Sequence, residues 1–302
     1  MQKRMTRLLL AALSCLGGLT GTAPAGVLDQ ALLRLEAANL TFDPTGGHAG
    51  AGRQVWVNTG TAGATYNATS DTYFGRNVTQ QTYTLLDGVT TAQRLAFNGT
   101  SSGFADTLRM NRAANLTAFV VAEKIGPSAN YQNLFSFDGG TGGWSRGMGF
   151  VGGNLQVQTK NGATAWNVTD AAPGTNRVLG ISFAGDNPQT ITAYVGGASI
   201  PGPGNPYTAS VNDDGSLSIG YLDLPGAGPH QFFGGTIAAL LIWDRLLTST
   251  EVTQVERYLT DTYIGSATPG AVPEIDPAGL GTVLALLTGT LGLLERRRLE
   301  AA

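Results

Sequence analysis

The sequence predicts an all-β body, a two-sheet antiparallel sandwich with one short C-terminal helix, set between an N-terminal signal helix and a C-terminal apolar span. Three observations carry this. Apolar and polar residues alternate with period two over many short runs, and glycine, asparagine and proline punctuate those runs, with 43 glycines in 302 residues. Only 13% of residues are charged, too few for a set of solvated helical faces. Long helical patterns are missing between the runs, which points to packed sheets. The net charge is -3, and the body between the two basic termini has no basic patch for a nucleic-acid partner.

Taken from the N-terminus, Lys3, Arg4 and Arg7 precede the apolar run Leu8 to Leu16, and a small-residue stretch ends in Ala23-Pro24-Ala25. This is the pattern of a signal peptide over residues 1–25, cut by signal peptidase between Ala25 and Gly26. Cys15 is the only cysteine, and Ala12-Leu13-Ser14-Cys15 loosely resembles a lipobox behind a short apolar stretch. Removal of the peptide leaves no cysteine and no disulfide, so stability rests on core packing.

The body, residues 26–265, opens with Val27, Leu28, Ala31, Leu32 and Leu35, a stripe that predicts a helix. Strands are expected at Leu40 to Asp43, Gln54 to Val57, Thr82 to Leu86, Arg94 to Phe97, Leu116 to Lys124, Asn133 to Phe137 and Gly147 to Phe150. Further strands are expected at Leu155 to Thr159, Ala165 to Val168, Asn176 to Phe183, Thr190 to Val195, Ser216 to Ile219 and Gly235 to Trp243. The last of these is apolar on both faces, as a strand covered on both sides must be. A second helix follows, with Thr248 and Glu251 as a capping box and Val252, Val255, Leu259 and Thr262 on one face.

The run from Phe232 through Gly234-Gly235-Thr236-Ile237-Ala238-Ala239-Leu240-Leu241-Ile242-Trp243-Asp244-Arg245-Leu246-Leu247 resembles the C-terminal signature of LamG-like, concanavalin A-like lectin/glucanase jelly rolls. Ala239 stands where that signature usually has glutamate. Leu95-Ala96-Phe97-Asn98-Gly99-Thr100 resembles its strand and turn, with Asn98 for aspartate, and the resemblance spans Leu40 to Gly265. It implies a concanavalin A-like jelly roll of about a dozen strands, with Asp244 and Arg245 pairing or capping at a turn.

Glucanase chemistry on that fold needs two carboxyls about 5 Å apart. The sequence of the body holds no E-x-D-x-x-E motif, and of Glu36, Glu123, Glu251 and Glu256 only Glu123 falls on an expected strand. His48 and His230 sit in Gly/Pro-rich loops without a nucleophile elbow. No catalytic residue is therefore assigned, and a divergent glycoside hydrolase is the lesser alternative. Sugar binding is chemically simpler, through aromatic faces and oxygen-rich loops. Trp144 and Trp166 are the candidate platforms, with Asn212, Asp213 and Asp214 as the candidate polar loop, where Asp213 and Asp214 would hold calcium. Trp56 and Trp243 are expected in the core. Sequons at Asn39, Asn67, Asn77, Asn98, Asn115 and Asn167 read as turn and strand composition.

Past a linker and motif at 266–277, Val272-Pro273-Glu274-Ile275-Asp276-Pro277 leads into an apolar run at 278–294, and a basic tail at 295–302 carries Arg296, Arg297 and Arg298. At ~1.5 Å per residue the run covers roughly 25 Å, enough for a thin or tilted crossing, with the arginines held on the cytoplasmic side. This tripartite tail resembles the PEP-CTERM sorting signal, in the variant seen in planctomycete-like bacteria. The resemblance implies an exosortase-like processing enzyme as a partner, a transient or permanent membrane anchor, and a destination in the cell envelope or extracellular matrix. Together the two resemblances lead to an exported, lectin-like module that contacts extracellular polysaccharide, or a structural matrix protein without a dedicated ligand.

Overall fold

The computed structural model describes residues 25–45, 52–70, 78–110, 115–125, 131–139, 143–152, 154–159, 166–170, 176–184, 190–202, 215–224 and 228–265. Within them the period-two alternation becomes a mostly antiparallel β protein with one long helix. The first half of the chain forms β1 (Leu33–Asp43), β2 (Arg53–Asn58), β3 (Ala68–Thr69), β4 (Thr79–Thr84), β5 (Thr91–Asn98), β6 (Phe104–Met110), β7 (Leu116–Lys124), β8 (Gln132–Gly139) and β9 (Gly143–Val151). The second half adds β10 (Asn154–Thr159), β11 (Trp166–Asp170), β12 (Arg177–Ala184), β13 (Thr190–Val195), β14 (Ala198–Pro201), β15 (Gly215–Ile219), β16 (Leu222–Leu224), β17 (Gly228–His230) and β18 (Gly234–Trp243). One turn of helix, α1 (Ala25–Leu28), precedes them and α2 (Ser249–Tyr263) follows. Among the described residues no helix is long and apolar enough to cross a membrane. Both the signal segment and the 278–294 run lie outside the described residues.

Sixteen strands share one hydrogen-bonded ladder, ordered β11-β10-β9-β8-β15-β6-β3-β2-β1-β18-β7-β12-β13-β14, with β5 also paired to β18 and β4 outside β5. Where two separate sheets were expected, the described strands form a continuous ladder that turns back on itself. Across the core, Lys124 of β7 lies 5.9 Å from the ring of Phe150 on β9. Likewise Arg146 of β9 lies 5.6 Å from the ring of Phe183 on β12. Between these layers an aromatic chain runs from Trp56 to Phe104 (5.6 Å), Phe97 (6.1 Å), Phe233 (5.9 Å) and Phe150 (6.2 Å). Offset and tilted rings at these spacings add to the burial of their area.

β18 lies at the centre and is covered on both faces. Ile237, Leu240 and Ile242 point into the inter-layer core, whereas Ala239, Leu241 and Trp243 face a second cluster built from Val27, Ala31, Phe119, Val252, Val255 and Leu259. The register to β7 skips Ala238, a bulge that lets one strand serve both clusters. Trp243 Nε1 donates to Val27 O at 3.0 Å, and Trp56 Nε1 donates to Glu36 O at 2.7 Å, so both indoles are core, as expected. Gly180 is required here, because a Cβ would sit 2.3 Å from the Phe119 ring. That ring lies against it and stacks on Tyr194 at 5.5 Å.

The helix α2 has the predicted capping box, with Thr248 Oγ1 accepting from Glu251 N and the Glu251 carboxylate accepting from Thr248 N. Arg245 caps this turn by pairing with Glu251 at 2.7 Å, not with its neighbour Asp244. This pair and the backbone bonds hold the Glu251 carboxyl down at about 2. On the buried face Tyr263 takes the place expected of Thr262, one step further round the helix.

Two expectations fail near the N-terminus and in the middle. The helix foreseen over Val27 to Leu35 is only one turn, and the chain extends from Leu33 because Leu33, Leu35 and Ala37 are buried in alternation. An i, i+4 stripe and a period-two run share several positions there, and pairing with β18 decides between them. The strand set at Thr82 to Leu86 begins and ends earlier, since Leu85 to Gly88 turn under a bond from Gly88 N to Leu85 O.

Lys124 is the misfit of this core. It is 2% exposed and its Nζ has no hydrogen-bond partner among the described residues, and burial pushes its pKa down from the ordinary lysine value. Lys124→Met is expected to raise stability by about 1–2 kcal/mol near neutral pH, because removing an unpaired buried charge relieves its desolvation. A lowered folded pKa makes the penalty full at neutral pH and smaller as pH climbs toward the ordinary lysine range. Thermal melts of both forms at pH 7 and pH 10 check this, with the gap between them narrowing at the higher pH.

Candidate functional site

The half of the ladder that runs β11-β10-β9-β8-β15-β6 has two ends, and the backbones of Trp144 and Trp166 and the start of β15 lie at one of them. At this end β8 finishes and β9 begins, with Asp138 opposite Trp144 and Gly139 opposite Gly143. Next to them β15 begins, with Ser216 opposite Asp138, and β6 finishes, with Met110 opposite Gly215. On the other flank β10 finishes with Thr159 opposite Arg146, and β11 begins with Trp166 opposite Val157. Antiparallel pairing therefore brings the backbones of Trp144 and Trp166 and the start of β15 to a common rim. Asn212, Asp213 and Asp214, which immediately precede Gly215 in sequence, lie outside the described residues, and the side chains of Trp144 and Trp166 do as well. Ala25 and Gly26 of the signal cleavage site begin α1, whereas Ala23 and the sorting residues Val272, Pro273, Glu274, Ile275, Asp276, Pro277, Arg296, Arg297 and Arg298 lie outside the description.

Two bulges mark this rim. The β8–β9 register passes from Phe137↔Arg146 to Asp138↔Trp144, leaving Ser145 unpaired, and the β6–β15 register jumps from Asp106↔Leu217 to Arg109↔Ser216. Inside the second bulge Asp106 Oδ1 accepts from Leu108 N at 2.8 Å, a side-chain substitute for the broken ladder. Bulges re-aim side chains and interrupt pairing, and they gather beside binding sites for that reason. Just beneath the rim Arg146 is 1% exposed, its guanidinium over Phe183. The sequence signal for it was available: Arg146 falls on the inward alternation of Met148 and Phe150, where an arginine has no place in a simple apolar core. Among the described residues no three His, Cys, Asp or Glu side chains cluster as metal ligands.

The strand glutamates are engaged elsewhere, on the face under α2. Glu36 also lies on a strand, contrary to the expectation that only Glu123 would, and it pairs across the ladder with Ala239. Its carboxylate meets Arg34 at 3.2 Å and accepts from the hydroxyls of Tyr258 and, at 2.8 Å, Tyr263. Burial, then the charge of Glu36, drives the Tyr263 phenol far above its ordinary pKa, so it stays a donor at any physiological pH. Glu123 pairs with Arg94, whose guanidinium also lies 4.9 Å from the Tyr83 ring. Burial pushes Tyr83 up to about 12, and its hydroxyl donates to Tyr263 O. The helix is thereby tied to the sheet at its C-terminal half by two arginine–glutamate pairs and three tyrosines. Each carboxylate is held against an arginine, which is the arrangement of a structural clamp.

A cleft of about 390 Å³ opens beside the last turns of α2, lined by Asn176, Arg177, Val178, Val195, Gly196, Thr260 and Ile264. Another of about 290 Å³ lies over Leu40, Thr41, Phe42 and Gln54. Neither contains a residue that the sequence had singled out for binding.

No family model matches the chain, and no curated protein does. Solved structures do resemble it. A Trypanosoma rangeli sialidase, in complex with 2-keto-3-deoxy-D-glycero-D-galacto-2,3-difluoro-nononic acid, superposes with a TM-score of 0.55 at 15% identity, over 83% of this chain and 35% of the sialidase. The binding domain of Paraclostridial Mosquitocidal Protein 1 gives 0.51 at 10% identity, over 78% of this chain and 53% of that one. The botulinum neurotoxin serotype D binding domain gives 0.50 at 15%, over the same 78% and 53%. The chain thus spans about a third of the sialidase and about half of the toxin domains. At such identities the likeness concerns the fold, a β-sandwich.

If the clamp is structural, Glu36→Ala should lower stability by about 2–3 kcal/mol, less than a fully buried pair because Arg34 and Glu36 are partly solvated. Tyr263→Phe should cost about 1–2 kcal/mol for one charge-assisted hydrogen bond. The double variant should cost clearly less than the sum, since both changes break one network. Denaturant titrations measure this, and additive losses would contradict a shared clamp.

Proposed function

We propose that the chain is an exported, envelope-targeted, non-catalytic carbohydrate-binding or adhesive module of concanavalin A-like jelly-roll architecture, sorted through its PEP-CTERM tail. The observation that carries the reading is the common rim. Two tryptophan-bearing strand starts, and the strand start that follows the oxygen-rich Asn212-Asp213-Asp214 run, stand at one end of one half-sheet. Aromatic rings take the C–H faces of a sugar and carboxylate or amide oxygens take its hydroxyls, directly or through calcium. Solved relatives of the fold, a sialidase bound to a sugar-like ligand and two toxin binding domains, agree with recognition as a use of this architecture.

The engagement of Glu36 and Glu123 in separate arginine pairs favours a non-catalytic role over the common retaining mechanism, which sets two carboxyls about 5 Å apart. Export follows from the signal segment, and sorting from the motif, apolar run and arginines of the tail. Signal peptidase, an exosortase-like enzyme and the membrane are the partners this route needs, with the cell envelope or extracellular matrix as the destination.

The protein should be retained on at least one member of a polysaccharide panel, and Trp144→Ala or Trp166→Ala should weaken retention about tenfold, the equivalent of ~1.4 kcal/mol for one stacked ring. Loss with EDTA would assign calcium to Asp213 and Asp214. Passage through every column would sink the lectin reading and leave a matrix protein without a dedicated ligand. Oligosaccharide profiles should not change on long incubation, and a product that disappears in Glu123→Gln would instead mark a hydrolase.

A further inference from the structure

An edge strand displays unpaired backbone donors and acceptors, and proteins ordinarily guard it with charge, proline or a bulge. Among the described residues the ladder ends in β11 and β14, and β4 forms a third edge outside β5. β11 carries Asp170 and β14 ends in Pro201, which are both guards. β4 has none. Its sequence Thr79-Gln80-Gln81-Thr82-Tyr83-Thr84 lacks charge, proline and glycine, and its register to β5 runs without a bulge from Thr79↔Ala96 to Thr84↔Thr91. All of its residues are exposed except Tyr83, which is half-buried.

The strand is also held by side-chain bonds to β1, β5 and α2. Gln80 Nε2 donates to Ala37 O at 2.6 Å, Gln93 Nε2 to Thr82 Oγ1 at 2.8 Å, and Tyr83 to Tyr263 O. Little ordering entropy remains to be lost when its outer side is paired. Beyond its end, Leu86 and Val89 are 63% and 84% exposed, so apolar surface continues past the edge.

We propose that β4 pairs antiparallel with β4 of a second copy of this chain, joining two sheets about a two-fold axis normal to them. The strand's own sequence argues for this occupant. Opposed residues in an antiparallel pair share a face, so the symmetry allows a register only if some residue meets its own copy. Either Gln81 does so, flanked by Gln80–Thr82 and Thr79–Tyr83 pairs, or Thr82 does so, flanked by Gln81–Tyr83 and Gln80–Thr84 pairs. Every pair in both registers is neutral and capable of hydrogen bonding, with no like charges opposed. A single strand pairing is a small interface and gives a weak dimer in solution. Holding copies on one surface would strengthen it through effective concentration. The inference stands on the edge itself, independently of any sugar bound at the rim.

Sedimentation of the full chain isolated in detergent tests it. The expected result is a concentration-dependent dimer that Thr82→Lys abolishes while the melting temperature stays within a few degrees of the parent. In a Cys15→Ser background, mild oxidation should give a disulfide-linked dimer from Gln81→Cys or Thr82→Cys, whereas Thr91→Cys on the interior strand should give none. A protein that is monomeric at every concentration would overturn the proposal. So would a dimer that ignores Thr82→Lys and cross-links at neither edge position.

Discussion

Burial of β18 on both faces is the constraint from which the rest of the architecture follows. A strand with apolar side chains above and below cannot sit at a surface, so something must cover each side. The inter-layer core covers Ile237, Leu240 and Ile242, and α2 with the N-terminal residues Val27 and Ala31 covers Ala239, Leu241 and Trp243. Because Trp243 also bonds to Val27 O, the first described residues and the last strand stabilise each other. The chain between them is closed into one cooperative unit without any disulfide.

The clamp under α2 fits the same logic. Ala239 stands where the resembled signature has glutamate, and the carboxylate in that neighbourhood comes instead from Glu36, its cross-strand partner. A small residue on β18 leaves room for Tyr258 and Tyr263 to reach Glu36 from the helix. The face that carries both strand glutamates, Glu36 and Glu123, is therefore spent on holding the helix. The rim proposed for recognition lies apart from that face, at the end of the other half-sheet, where two register shifts fall.

Strongly patterned elements were legible in the sequence. β7 begins and ends at the expected Leu116 and Lys124, and the Thr248–Glu251 capping box is present. What escaped shows where pattern and contact diverge. β6 was missed because its bulge and the buried Asp106 destroy the alternation that would have announced it. Leu33 to Ala37 was misread because only pairing with β18 distinguishes a strand from a helix there. Glu36 was overlooked for the same reason, since a carboxylate just past an expected helix gave no hint of its tyrosines. For the candidate site, the residue types were visible but their convergence was not. Trp144, Trp166 and Gly215 are brought together only by the order of strands in the ladder.

The molecule thus has a helix face that holds the fold and, at the other half-sheet, the rim proposed to meet a ligand. The most direct test is hydrogen exchange read by mass spectrometry, with and without the polysaccharide that the protein retains. Added protection should fall on peptides containing Gly143 to Arg146, the start of β11 and the residues ahead of Gly215, with Glu36, Glu123 and α2 unchanged. Protection centred on Glu36, Glu123 and α2, with the rim unaffected, would contradict it.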